Sequence, residues 1–378
     1  MREDAGLARA RSGDDEKRPV DVEHRLALRR IEVGEKLLVG GEGHASMLAA
    51  TPSSRMCHVR SRPGVVPGTP RTLRGVIRDG TLDDIPRAAA LRQRAWPESI
   101  VTEEGMRHWI AGVPARAELA LFAWEEDREL RGWATAARNW WSSDPQGGIL
   151  AITVDGSHRG GGIGTALAEA ADEHLGRLGV RTTRAGSLDE PGARALAARR
   201  GFEEIAAATV SGVDPRTVEP RPIPAGVELV PLADIDDPGP VHELDLELSR
   251  DIPNEDYDAI ELEEWKATFW QSPLIDDDAS LVALVDGQLA GLTMIRIDRP
   301  SGRAQNNLCG VRRPYRGRGL ALLLKSHSLR RAAELGATIA LTDNDETNAP
   351  MLAVNQRLGY GPFARRLEWE RAAATTSP

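Results

Sequence analysis

The chain repeats its own pattern. From Thr72 onward the order of apolar runs, turns and glycines recurs with a period of roughly 155 to 160 residues, so one fold must serve both units. The first unit opens with the strand-like run Gly75-Val76-Ile77-Arg78, the turn Asp79-Gly80 and a helix begun by Thr81 and Asp83. The second opens with Gly226-Val227-Glu228-Leu229-Val230, then Pro231 and a helical stretch after Ala233. A hairpin follows in each: residues 119–124 and 130–137 flank a charged turn, and residues 281–285 and 289–297 flank Asp286-Gly287, a pair suited to a tight turn. A third strand (149–154, 306–311) runs into a glycine-rich turn and a long helix. In the first long helix Ile163, Leu167, Ala171, Leu175 and Leu178 fall three or four apart, which marks one buried stripe; Leu320, Leu323 and Leu324 begin its counterpart. Gly179 and Gly336 end these helices as left-handed caps. Short strands (180–187, 339–342), a shorter helix, Gly201-Phe202 or Gly359-Tyr360 and a closing strand complete each unit. The order β-α-α-β-β-β-α-β-α-β, read twice, predicts an α/β fold (α+β, mixed sheet) in two tandem domains. Pro215, Pro220, Pro222 and Pro224 crowd the junction and predict a stiff, extended linker.

The turn before the long helix carries the chemistry. It reads Arg159-Gly160-Gly161-Gly162-Ile163-Gly164 in the first unit and Arg316-Gly317-Arg318-Gly319-Leu320-Ala321 in the second. Both fit R-x-x-G-x-G/A, and in both a valine (Val154, Val311) stands five residues before the arginine. A helix start offers unpaired N–H groups and the positive end of the dipole to an anion. Glycines let the backbone close on phosphates and take positive φ; the small Gly164 or Ala321 leaves room over the helix start, and Arg318 adds positive charge. A P-loop would need Gly-Lys-Ser/Thr, which neither unit has, and a dinucleotide fold would need an acidic residue ending the next strand. Asp343 follows one such strand but has no counterpart near Ser187. A pyrophosphate cradle is the reading that remains, against a tight turn with no ligand.

At these residues the sequence resembles the GNAT acetyltransferases, whose acetyl-CoA loop is R-x-x-G-x-G/A. The resemblance spans residues 72–212 and 226–371. In the second unit it continues through Thr342-Asp343-Asn344, Asn348-Ala349-Pro350 and Asn355-Gln356-Arg357-Leu358-Gly359-Tyr360. By position it implies CoA contacts from Asn344 and Asn348, from the loop residues above, from Cys309, Gly310 and Val311, and from Ile152, Val154 and Thr165 in the first unit. The first unit has Asp189-Glu190-Pro191-Gly192-Ala193 where the later motif belongs and keeps only Arg200-Gly201-Phe202. The tandem arrangement resembles transferases of the mycothiol synthase kind, which implies one active and one structural copy. The C-terminal domain (226–371) is accordingly expected to be catalytic and the N-terminal domain (72–212) degenerate.

The resemblance also implies a backbone N–H on the fourth strand, near Cys309 to Val311, that polarises the thioester carbonyl, a donor of the kind worth ~3 kcal/mol of barrier. It implies a glutamate four or six residues before the terminal valine. Those positions hold Asn307 and Gln305 in one unit and Leu150 and Gly148 in the other, so only the C-terminal unit keeps groups able to order a water. The tyrosine acid expected four residues before the Gly-Phe/Tyr pair is replaced by Asn355 or Ala197, which leaves Tyr360 as an acid by default and, more simply, as a core aromatic matching Phe202. Cys309 reads as a small core residue, because direct transfer needs no acyl-enzyme.

Acids crowd the expected acceptor wall: Asp251, Glu255, Asp256, Asp258, Glu261, Glu263, Glu264, Asp276, Asp277 and Asp278, with Trp265 and Trp270 among them. They suit a small cationic amine, or else form a solvated face. Trp140-Trp141 reads as packing between domains. A net charge of -9 disfavours a nucleic-acid partner. Two cysteines and eight histidines without ligand spacing give no metal site. No apolar run reaches the ~20 residues of a membrane span, and early acids (Glu3, Asp4) do not fit a secretion signal; a cytoplasmic setting is expected. Residues 1–70 read as a poorly ordered extension. The functional expectation is direct acetyl transfer from acetyl-CoA to a small amine. The alternatives are a non-catalytic acetyl-CoA-binding module and a protein or peptide acetyltransferase. Oligomeric state is not readable from the residues.

Overall fold

The computed structural model describes residues 75–253, 257 and 260–372. The extension expected over 1–70, and Glu255, Asp256 and Asp258 of the acidic wall, lie outside the described residues. Each repeat has the expected element order. In the first, β1 (Val76–Asp79), α1 (Ile85–Ala95), α2 (Glu103–Gly112), β2 (Ala120–Glu126), β3 (Glu129–Arg138) and β4 (Gly147–Val154) precede the long α3 (Ile163–Arg177), then β5 (Thr182–Leu188), α4 (Pro191–Arg199) and β6 (Glu203–Val213). The second runs β7 (Val227–Pro231), α5 (Gly239–Ser249), α6 (Leu262–Trp265), β8 (Leu281–Val285), β9 (Gln288–Asp298), β10 (Arg303–Val311), α7 (Leu320–Glu334), β11 (Ile339–Asp345), α8 (Ala349–Arg357) and β12 (Gly361–Ala372). Periodicity explains the helices. Ile163, Leu167, Ala171 and Leu175 are buried at 3% exposure or less and form one stripe against the sheet. The hairpin turn takes the left-handed backbone foreseen for it, with φ of 49° at Asp286 and 77° at Gly287.

The two tandem units share one sheet. All twelve strands join in one sheet, in the order β1-β2-β3-β4-β5-β12-β6-β11-β10-β9-β8-β7. The closing strand of each repeat therefore crosses to the other half: β12 pairs with β5, and β6 pairs with β11. The cores follow the exchange. Leu367 and Trp369 of β12 pack with Leu150, Leu167 and Leu175, while Val213 at the end of β6 packs with Leu329 and Ala332. The proline-rich junction is held against the second repeat: Val218 is buried there, the Arg221 N–H donates to Ser326 Oγ at 3.1 Å, and the Arg221 carbonyl lies 2.8 Å from His327 Nε2. Trp140 is buried, stacks 4.3 Å from Trp141, and Trp141 meets Tyr257 of the second repeat at 6.4 Å.

Candidate active site

The sheet opens at equivalent places in the two repeats. β4 and β5 are parallel and pair only from Gly147↔Thr182 to Leu150↔Ala185, although β4 runs to Val154 and β5 to Leu188. β10 and β11 likewise pair only from Arg303↔Ile339 to Gln305↔Leu341. At the wide end of each gap sits a glycine loop. Gly160 and Gly162 have φ of 77° and 94°, and Gly317 and Gly319 have φ of 77° and 80°, conformations that L side chains avoid. A Cβ at Gly160, Gly317 or Gly319 would meet nothing within 4 Å, so both loops face open space. The first bonds of the long helices run from Ala166 N–H to the Gly162 carbonyl and from Leu323 N–H to the Gly319 carbonyl. The N–H groups ahead of them are the ones a helix start leaves for an anion.

The loop arginines brace rather than cradle. Arg159 Nε donates to the Val154 carbonyl at 3.4 Å and Nη1 to Glu190 at 2.5 Å. Arg316 Nε donates to the Val311 carbonyl at 2.8 Å, and its Nη2 pairs with Asp251. The spacing of valine and arginine thus ties each loop to the strand it leaves. Hydrogen bonds from Arg313 and Arg316 pull the Asp251 carboxyl down to about 2. Arg318 is exposed and lies over the Tyr315 ring at 5.4 Å.

Beyond the loops the repeats differ. In the first, a cavity of about 920 Å³ runs from the glycine loop through the gap between β4 and β5 to Trp96 on the far side. Ile152, Val154, Arg159, Gly160, Gly162, Gly164 and Thr165 line it. Gly161 does not, and Ile163 faces the core at 3% exposure. Its inner wall is Ala168, Ala185, Ala197, Phe202 and, from the exchanged strand, Trp369, whose Nε1 donates to Ser187 Oγ at 2.9 Å. In the second repeat the residues at the same steps of the same elements are Lys325, Thr342, Asn355 and Tyr360. All four are buried, the first three are larger than the alanines they match, and Thr342 lines the smaller cavity described below. Lys325, 1% exposed, donates from Nζ to Asn355 Oδ1 at 2.7 Å, reaches Thr342 Oγ1 at 3.4 Å and sits 5.0 Å from the centre of the Tyr360 ring. Burial brings its ammonium down to about 8. Asn355 Nδ2 in turn donates to Asn344 Oδ1 at 2.6 Å. None of Arg316, Gly317, Arg318, Gly319, Leu320 and Ala321 lines either described cavity, and Leu320 is buried at 2% exposure. A Cβ at Gly310 would press on Leu248 at 2.9 Å.

A second cavity, of about 360 Å³, lies at the parted end of β10 and β11 and is walled on its other side by β5, β6 and β12. Asn307, Cys309, Asn344, Asn348, Trp141 and Glu368 are among its walls. Asn307 projects there because β10 carries a β-bulge between Asn306 and Leu308. Asn306 Nδ2 fastens the bulge to Thr293 Oγ1 at 3.0 Å and the Met294 carbonyl at 3.1 Å. β4 pairs with β3 without such a shift. Gln305 lines neither cavity, because its Oε1 accepts from the Ile100 N–H at 3.3 Å and holds the loop after α1. Tyr360 is no acid at this site: its hydroxyl is buried without a partner, burial pushes its pKa up, and its ring fills the core place that Phe202 takes in the first repeat. Burial also pushes the Cys309 thiol up, although the residue is half-buried and lines this cavity rather than sitting in the core. The described acids of the expected wall are largely spent on cations: Glu264 on Arg116, Glu263 on Lys266, Asp276 on Arg299. Trp265 is fully buried, with Nε1 on Asp245 at 2.5 Å.

Two parallel strands that part over a glycine loop, twice in one sheet, define a tandem acyltransferase fold. The chain belongs to the Acetyltransferase (GNAT) family, whose profile matches residues 85–202 and 246–360. Solved structures of the same fold include the tandem GNAT protein from the clavulanic acid biosynthesis pathway, with TM-score 0.63 and 22% identity over 80% of this chain and 100% of that one. A GCN5-related N-acetyltransferase from Sphaerobacter thermophilus gives 0.61 and 20% over 79% and 96%. A putative acetyltransferase from Pyrococcus horikoshii gives 0.53 and 15% over 82% and 92%. No curated protein sequence matches the chain. Among the described residues no helix is long and apolar enough to cross a membrane.

Proposed function

We propose that the protein is an acetyl-CoA-dependent N-acetyltransferase whose donor site lies in the first repeat, the reverse of the order expected from the asparagine motif. The observation that carries this reading is the contrast between one space and its copy. Where Ala168, Ala185 and Ala197 line a cavity of about 920 Å³ that reaches the first glycine loop, the larger Lys325, Thr342 and Asn355 stand at the same steps, and the 360 Å³ cavity that β10 and β11 line does not reach the second loop. A pantetheine arm following the same course in the second repeat would have to displace a buried lysine from Asn355, at a cost of several kcal/mol. In the first repeat the diphosphate would rest on the N–H groups of the Gly160–Gly164 turn, and the thioester would reach the parted strands near Ile152 and Ser187. The acceptor is a small amine that attacks the thioester directly.

Calorimetry with acetyl-CoA tests the assignment. Ala168→Leu fills the first cavity and should abolish binding while circular dichroism stays unchanged; Gly319→Ala, in the second loop, should leave binding as it is. The opposite pattern would return the donor to the second repeat. Binding without turnover is a second reading, supported by the apolar Leu150 and by the unbroken pairing of β4 with β3. Release of free thiol in the presence of amines decides between them.

A further inference from the structure

We propose that the acceptor amine occupies the 360 Å³ cavity and that Glu368, carried there by the exchanged strand β12, takes its proton. This rests on the donor assignment above. The two cavities are neighbours: Ala185 lines both. The next residue, Gly186, belongs to the donor wall and is the register partner of Glu368. A Cβ at Gly186 would stand 3.3 Å and 3.4 Å from the two carboxylate oxygens of Glu368 and 3.2 Å from Arg366 Nη2. The missing side chain therefore lets the carboxylate of one repeat lie directly against the strand edge where the other repeat exposes its thioester gap. No carboxylate stands on β4 to do this work, because the positions that would hold one are Leu150 and Gly148.

The chamber's charge suits an ammonium. Asp343, Asp345 and Glu368 line it, with Arg184 in the wall and Arg366 beside two of the carboxylates. Asp343 is held by Arg366 at 3.1 Å, and Arg366 is 3.6 Å from Glu368, whose side chain is 40% exposed. Asn307 adds a neutral polar wall through the bulge in β10. The step balances without a further reagent. The ammonium gives one proton to Glu368 and becomes nucleophilic; its nitrogen forms a bond to the thioester carbonyl carbon. The carbon–sulfur bond breaks with its electron pair on sulfur, and the second amine proton leaves nitrogen for the thiolate. Glu368 returns its proton to solvent.

The test uses the full chain, acetyl-CoA and 1,4-diaminobutane as a compact dication. Calorimetry should show the diamine binding to the acetyl-CoA-loaded protein, and a thiol assay should show CoA release. Glu368→Gln should leave acetyl-CoA affinity unchanged and lower CoA release by roughly 100-fold or more, with partial recovery in Glu368→Asp. Diamine that fails to bind the loaded wild type, or a Glu368→Gln variant that releases CoA at the wild-type rate, overturns the proposal. Loss of acetyl-CoA binding in Gly319→Glu but not in Ala168→Leu would instead refute the donor assignment, and it is read without any amine present.

Discussion

Lys325 shows how much one residue decides. Its ammonium is buried, and desolvation lowers its pKa from 10.5 to about 8. The unfolded chain therefore binds more protons than the native one between these values, so stability should rise as pH climbs from about 8 to 10.5. The full span corresponds to about 3 kcal/mol. Urea unfolding across that range should show the rise in the wild type and a flat response in Lys325→Met. Glu98 presents the opposite sign. Both its oxygens are buried without a hydrogen-bond partner, and burial raises its pKa, so its neutral form is favoured in the native state and stability falls as pH rises through that raised value. Glu98→Gln should raise the melting temperature at neutral pH, measured by calorimetry, and change it little in acid. Neither group was legible in the sequence as what it is. Lysine and glutamate are surface residues by default, and the alanines opposite Lys325 and its neighbours carry no motif. A cavity is written in what is missing.

Elements were legible where their signals are local. Period, caps and glycines sufficed for the hairpin at Asp286-Gly287, the stripe of α3 and the loops of Gly160 and Gly317, because each depends on residues a few positions apart. Strand partners depend on residues far apart. Nothing local to β6 or β12 identifies the strand of the other repeat beside which each lies, so the exchange left no mark in the pattern. It does leave a measurable dependence. Trp369 belongs to the second repeat and walls the 920 Å³ cavity of the first. Trp369→Ala should cost about 3–5 kcal/mol of stability and weaken acetyl-CoA binding, although the C-terminal glycine loop is untouched. Denaturant titration and calorimetry on one sample would check both.

As a whole the molecule should behave as a single cooperative unit despite its two repeats. Circular dichroism and tryptophan fluorescence are expected to report coincident unfolding transitions. A fragment of residues 75–225 should not form a stable monomer, because β5 would lose β12 and β6 would lose both its neighbours; ultracentrifugation would show aggregation or a swapped dimer. The crossing of β6 and β12 also bears on descent. Once two duplicated halves have traded their last strands, neither can be shed by a deletion, however little its own ligand-binding loop is still used. If the donor sits in the first repeat as proposed, selection would keep the second half for its architecture and leave its gap free to take side chains that stabilise it, such as the buried Lys325.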